Sequence, residues 1–203
     1  MTDLSAAQAP LELVLKDEII RMYDEVAEHP ENEYHFYHGR QAAELFEYPA
    51  ELLDRAPEEA VASFAGVGNP HLRSALQPGE TVLDLGSGAG LDATIASWGV
   101  GPTGSVIGVD LNPAMCRKAQ RNVERAGLRM QCHEGRMEDL PLPDASVDVV
   151  ISNGVINLSF RKRRVIEEMF RVLRPGGRIS IVDIVSAKPL SQSIVNDPKL
   201  WAS

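Results

Sequence analysis

Between residues 10 and 29, apolar side chains recur three and four positions apart at Leu11, Leu15, Ile19, Met22, Tyr23 and Val26. That spacing predicts an amphipathic helix with one buried stripe, with Pro10 suited to its first turn and Pro30 ending it. A loop rich in aromatics and histidines follows, from Tyr34 to Gly39. Short helices are predicted over 40–47, 49–55 and 57–64, before Gly66-Val67-Gly68-Asn69-Pro70 breaks the pattern. From residue 79 the pattern changes. Short apolar runs at 81–85, 105–109, 129–133, 147–152 and 178–185 alternate with helical stretches at 90–98, 112–126 and 160–173. Alternation of this kind specifies an α/β fold of three layers, a mostly parallel sheet with helices on both faces and right-handed crossovers. Residues 1–75 read as an N-terminal helical extension or lid and 76–203 as the α/β domain, the two forming one unit.

Composition narrows the class. With 44% hydrophobic and 24% charged residues among 203, the chain is a globular protein rather than a disordered or fibrous one. No apolar run approaches the ~18 residues a membrane-spanning helix needs, and Met1-Thr2-Asp3 opens no signal peptide, so a cytoplasmic location and no membrane partner are expected. Two cysteines, Cys116 and Cys132, and five scattered histidines make neither a disulfide framework nor a metal site, so reduced thiols and no metal are expected. The net charge of −9 is uneven: residues 1–60 carry 15 acids against 4 bases, the remainder 14 against 16. An acidic N-terminal block argues against nucleic acid as a partner, and the run Arg161 to Arg164 reads as the solvated start of a helix.

In this fold class ligands bind beyond the carboxyl ends of the strands, which directs attention to the first strand-to-helix turn, Asp84-Leu85-Gly86-Ser87-Gly88-Ala89-Gly90. Glycines at alternate positions let a ligand approach bare backbone, and the helix that follows presents free N–H groups. Twenty residues after Gly90 the second strand ends in Asp110, whose carboxylate can accept both hydroxyls of a ribose. A nucleoside-containing ligand follows from the two together. The dinucleotide fingerprint would need a third glycine at Leu91, so a nicotinamide oxidoreductase is disfavoured.

The segment from Asp84 to Gly90, with Asp110 after the second strand and the turn Leu173-Arg174-Pro175-Gly176-Gly177, resembles the motifs of class I S-adenosylmethionine-dependent methyltransferases. The arsenite methyltransferase branch is the most similar. The shared stretches are Gly101 to Gly104, Val106 to Asp110, Gly135 to Pro143, Ile151 to Ser159, and Asn196-Asp197-Pro198 with Leu200-Trp201-Ala202. The resemblance runs from about Tyr23 to Ser203. It implies a Rossmann-like methyltransferase fold, S-adenosylmethionine as cofactor and a small-molecule substrate. By the same resemblance Asp84, Gly86, Gly88 and Gly90 belong to the cofactor loop, Asp110 holds the ribose, and Leu111 covers the adenine. Met137 and Glu138 lie at the adenine edge, and Asn153 borders the methyl group and the acceptor pocket. Tyr23, His35, His38 and Asn69 are candidates for a lid or substrate wall. Displacement at a sulfonium methyl requires alignment more than acid or base, so no catalytic residue beyond Asn153 is singled out.

Two departures from the branch bear on substrate and fold. Its pattern S-N-C-V-I-N-L stands here as Ser152-Asn153-Gly154-Val155-Ile156-Asn157-Leu158, and no cysteine precedes Cys116. Arsenic is a soft ion held by thiolates, so arsenite is doubtful as acceptor. The chain also stops at Ser203, where the branch continues into further strands. The expected sheet is therefore truncated at its C-terminal side, with an open fifth strand covered by the tail from Ser186 or paired with a second copy. Two function classes remain: a methyltransferase acting on a small molecule, and a non-catalytic cofactor-binding or interaction protein derived from one.

Overall fold

The computed structural model describes residues 8–188 and side chains from Glu12 onward. Five helices precede the sheet: α1 (Gln8–Glu28), α2 (Gly39–Leu45), α3 (Ala50–Arg55), α4 (Glu58–Ala62) and α5 (His71–Ser74). The rest alternates as β1 (Thr81–Leu85), α6 (Leu91–Val100), β2 (Ser105–Asp110), α7 (Pro113–Arg125), β3 (Gln131–Glu134), β4 (Val147–Asn153), α8 (Lys162–Val172) and β5 (Leu173–Val182). A single 3-10 turn, Ile156–Leu158, follows β4. The strands lie in the order β3-β2-β1-β4-β5, every neighbouring pair parallel.

Alternating side chains of the central strands feed two cores. Val82, Val106, Val149 and Ile151 pack beneath Ala93, Ala96, Ala119 and Val123 of α6 and α7. Leu83, Leu85, Val109 and Val150 face the other way, onto Val165, Met169 and Val172 of α8. Both faces are covered, which is why the strands read as continuous apolar runs rather than alternating ones. The small helices form a third core, with Tyr48, Leu53 and Phe64 against Leu91 and Ile95 of α6.

The five strands fall where the pattern puts them, with shifts at their ends. The last differs most. Val147 pairs with Leu173 but Val149 with Arg178, so the Pro175-Gly176-Gly177 turn bulges out of a strand that starts earlier than 178 and stops at Val182. The outer edge of β5 has no strand beside it among the described residues. The tail expected to cover it lies, from 189 on, outside the described residues. α5 was not predicted: its four residues hold no apolar period, and it exists because Ser180 and Arg178 of β5 donate to the carbonyls of Pro70 and Ser74. No helix in the described residues is long and apolar enough to cross a membrane.

Candidate active site

Strand order reverses between β1 and β4, and the loops leaving their carboxyl ends, with that of β2, frame a cleft. Gly88 is the half-buried tip of the first loop. Its φ is +49°, nothing lies within 4 Å of where a Cβ would project, and its N–H donates to Asp110 Oδ2 at 2.8 Å. Asn112 N–H reaches the other oxygen, Oδ1, also at 2.8 Å. Burial pushes the Asp110 carboxyl up from its ordinary range, against the pull of the N–H groups of Asn112, Gly88 and Leu111. Backbone donors thus orient both carboxylate oxygens, and each oxygen keeps capacity for a further donor.

Gly90 does a different job. At φ +86° it caps α6, and a Cβ there would sit 3.0 Å from the Cα of Ala119, so this glycine lets α6 and α7 approach. Gly90→Ala combines a disfavoured φ with backbone crowding, and is expected to lower stability by about 2 kcal/mol, read as a fall in thermal midpoint. Gly88→Ala, with open space, should cost less.

The cleft encloses about 1160 Å³ of space, its mouth included. One end is lined by Asp110, Leu111, Arg136, Met137 and Glu138; the other by Phe64, Gly66, Asn153, Val155 and Leu158. α1 forms the roof, with Leu15, Lys16, Ile19 and Tyr23 facing down. Asn112 moors it. The same side chain that caps α7, accepting from Ala114 and Met115, donates to the Ile20 carbonyl at 3.1 Å and Asp24 Oδ1 at 3.0 Å. Lys118 Nζ donates to the Ala27 carbonyl, and Glu12 pairs with Arg136 and, at 2.9 Å, with Arg161. Burial, with the Asp110 carboxylate as a lesser cause, pushes the Tyr23 hydroxyl up to about 12, so it stays a donor over the cleft.

A family profile described as a methyltransferase domain matches residues 76–203. The chain belongs to the class I S-adenosylmethionine-dependent methyltransferases. An arsenite methyltransferase of Halobacterium salinarum is 49% identical over 134 residues, which is 66% of this chain and 34% of that protein. Another, from Aquipseudomonas alcaligenes, is 37% identical over 158 residues, 74% of this chain and 45% of that one. The chain therefore spans about a third to a half of the length of these curated relatives. Among solved structures, an arsenic(III) S-adenosylmethionine methyltransferase from Chlamydomonas reinhardtii superposes with a TM-score of 0.61 at 38% identity, over 79% of this chain and 53% of that one.

Within this methyltransferase framework the structure gathers Gly86, Gly88, Asp110, Leu111, Met137, Glu138, Asn153 and Tyr23 around one cleft. Five other residues named from the sequence, Asp84, Gly90, His35, His38 and Asn69, lie outside this lining. Asp84 is buried under α6, where burial and the Asp92 carboxylate push its carboxyl well up, and its Oδ2 has no partner. Gly90 serves helix packing rather than the cleft wall. His35 is exposed, and His38 reaches the Pro30 carbonyl beside a separate groove; the loop's aromatics stack on one another, Tyr34 on Phe36 at 5.4 Å, instead of forming a lid. Asn69 ties its loop to the turn between α2 and α3, donating to the Glu47 carbonyl and accepting from His71 N–H.

Asn153 lines the cleft with its side chain already engaged. Its Oδ1 accepts from Val67 N–H at 2.8 Å, and Nδ2 faces the Gly68 carbonyl at 2.8 Å, Asp92 Oδ2 at 3.1 Å and the Tyr48 hydroxyl at 3.2 Å. Asp92 in turn accepts from Tyr48 at 2.6 Å and lies 3.0 Å from His71 Nε2. This cluster fastens the Gly66–Gly68 loop to the sheet. Sequence reasoning missed it, along with Glu12 and Arg136. Asn112 alone carried a readable signal, a capping residue ahead of Pro113.

Proposed function

We propose that the chain transfers a methyl group from S-adenosylmethionine to a small, largely apolar organic acceptor. The observation that carries the cofactor half is the Asp110 carboxylate, oriented by Gly88 and Asn112 at a cleft whose loop leaves room above Gly88. These residues suit a nucleoside: two oriented acceptors for two ribose hydroxyls, bare backbone at Gly88, and Leu111 and Met137 as apolar faces for a base. The cofactor, when bound, supplies a methyl on an already activated sulfonium. The residues of this chain then align the acceptor and exclude water. α1 roofs the cleft, and Asn153 holds the wall formed by Gly66, Val67 and Gly68.

The acceptor half rests on the wall near Asn153, where Phe64, Ala65, Val155 and Leu158 are apolar and no cysteine lines the cleft among the described residues. Gly154 stands at the thiol position of the arsenite branch, with Val67 3.1 Å from where its Cβ would be. A soft metalloid finds no sulfur ligand there, whereas a neutral organic nucleophile fits. Titration calorimetry with S-adenosylhomocysteine, with NAD as control, tests the cofactor; micromolar binding of the first alone is expected. Transfer of a labelled methyl group to a panel of phenols, amines and thiols, with arsenite plus glutathione alongside, tests the acceptor. Turnover of arsenite alone would overturn the organic reading, and cofactor binding with no turnover of any acceptor would favour the non-catalytic one.

A further inference from the structure

Cys116 and Cys132 belong to neither wall of the cleft, yet both touch residues that line it, Asp110 and Ser87. Cys116 lies on α7, buried, with Sγ 3.7 Å from the carbonyl oxygen of Asp110. Cys132 lies on β3, the edge strand, opposite Gly108 of β2; its Sγ is 3.6 Å from the Ser87 hydroxyl and would lie 3.3 Å from a Cβ on Gly108. Cys132 packs against the cluster that Ala119 and Val123 of α7 help to build, so both thiols lie in the layer between α7 and the strands β2 and β3. Cys132 is only partly buried. The neighbouring Cys116 and Ser87 lower the Cys132 thiol against its burial, while Cys116 is raised, so the pair divides into a nucleophile and a reserve thiol.

We propose that Cys116 and Cys132 are an oxidisable pair whose disulfide, formed by a peroxide, staples α7 to β3 and weakens cofactor binding at Asp110. The Cys132 thiolate attacks one peroxide oxygen, the O–O bond breaks, and hydroxide leaves to become water, which gives a sulfenic acid. The Cys116 sulfur then displaces the sulfenic oxygen as a second water, its proton lost in the process. Two thiols and one hydrogen peroxide become one disulfide and two waters. An S–S bond of about 2.05 Å draws the sulfurs out of their present contacts. The Asp110 carbonyl loses its thiol donor and the Ser87 hydroxyl its sulfur neighbour, so the end of β2 that carries Asp110 and the loop that carries Gly88 both shift. The effect on binding rests on the proposed cofactor site; the disulfide does not.

The whole chain is treated with stoichiometric hydrogen peroxide, free thiols are blocked, and the digest is mapped by mass spectrometry. A cross-linked Cys116–Cys132 peptide two hydrogens lighter than its parts is expected, with both free thiols lost and recovered on reduction. S-adenosylhomocysteine affinity should fall about tenfold on oxidation, return with reductant, and become indifferent to peroxide in Cys132→Ser. Cys116→Ser should behave alike; if that buried replacement fails to fold, Cys132→Ser at its partly exposed site still decides. Sulfinic acid without a cross-link, or disulfides only between chains, would overturn the pairing. A mapped disulfide with unchanged affinity would overturn the link to binding. Failure of the reduced protein to bind S-adenosylhomocysteine counts against the cofactor site and leaves the peptide map to judge the pair.

Discussion

Asp110→Ala is expected to weaken S-adenosylhomocysteine binding at least about 100-fold in calorimetry, the largest effect of any single change in the cleft. The variant removes two acceptors whose positions are set by Gly88 and Asn112 N–H groups at 2.8 Å. Hydrogen bonds to a charged group contribute about 1.5–3 kcal/mol each, so losing the ribose pair costs about 3 kcal/mol or more in affinity, which is the stated factor. Asp110→Asn keeps the shape and one acceptor, and should lose about tenfold. Because burial raises the Asp110 carboxyl while ribose binding needs its ionised form, affinity should also fall on acidification, starting above the ordinary carboxylate value of about 3.9. The same replacement strips backbone N–H groups of their acceptor, so a thermal melt accompanies the titration. A folded Asp110→Ala protein binding within threefold of the parent would sink the assignment.

The hydrophobic pattern carried most of this fold, because each layer repeats one period. β1 at 81–85 is read to the residue, since both its faces are buried and a turn bounds each end. Boundaries drift where the deciding interaction is distant: β5 starts early because Leu173 pairs across a bulge with Val147, a register no local pattern encodes. Asp110 and Gly88 were legible as a candidate site because loop, spacing and strand end coincide in one short segment, and the structure brings them together at the cleft. Asp84 and Gly90 lie in that same segment, and only burial separates them from it. The stripe puts Tyr23 on a helix and the resemblance makes it a lid candidate, but neither says what lies beneath it; that depends on Asn112, Lys118 and Arg136, which reach α1 from far along the chain. The histidine loop illustrates the converse. Its composition suggested a lid, whereas its rings satisfy one another at a distance from the cleft.

Asn153→Ala should act through shape rather than contact. Removing the amide leaves Val67 N–H and Asp92 Oδ2 each without a partner, and leaves the Gly68 carbonyl with the Tyr48 hydroxyl alone, in a half-buried setting. Unmade hydrogen bonds of this kind cost about 1–3 kcal/mol each where water cannot replace them. A net loss of about 3 kcal/mol in unfolding free energy is expected in denaturant titration, with the slope unchanged. Gly66 adds to the constraint: a Cβ there would fall 2.3 Å from Asn153 Nδ2, so the loop is built around this side chain and relaxes into its space when it is gone. The functional signature follows. Since Asp110 is untouched, S-adenosylhomocysteine affinity should change less than fivefold, while turnover of an acceptor found in the screen falls through a raised KM, as the wall of Phe64 to Gly66 loses its anchor. Tyr48→Phe removes one member of the same cluster, the hydroxyl that donates to Asp92 at 2.6 Å. In a double-mutant cycle the two changes should couple by about 1 kcal/mol, whereas additivity would mean that Asn153 and Tyr48 hold the wall independently.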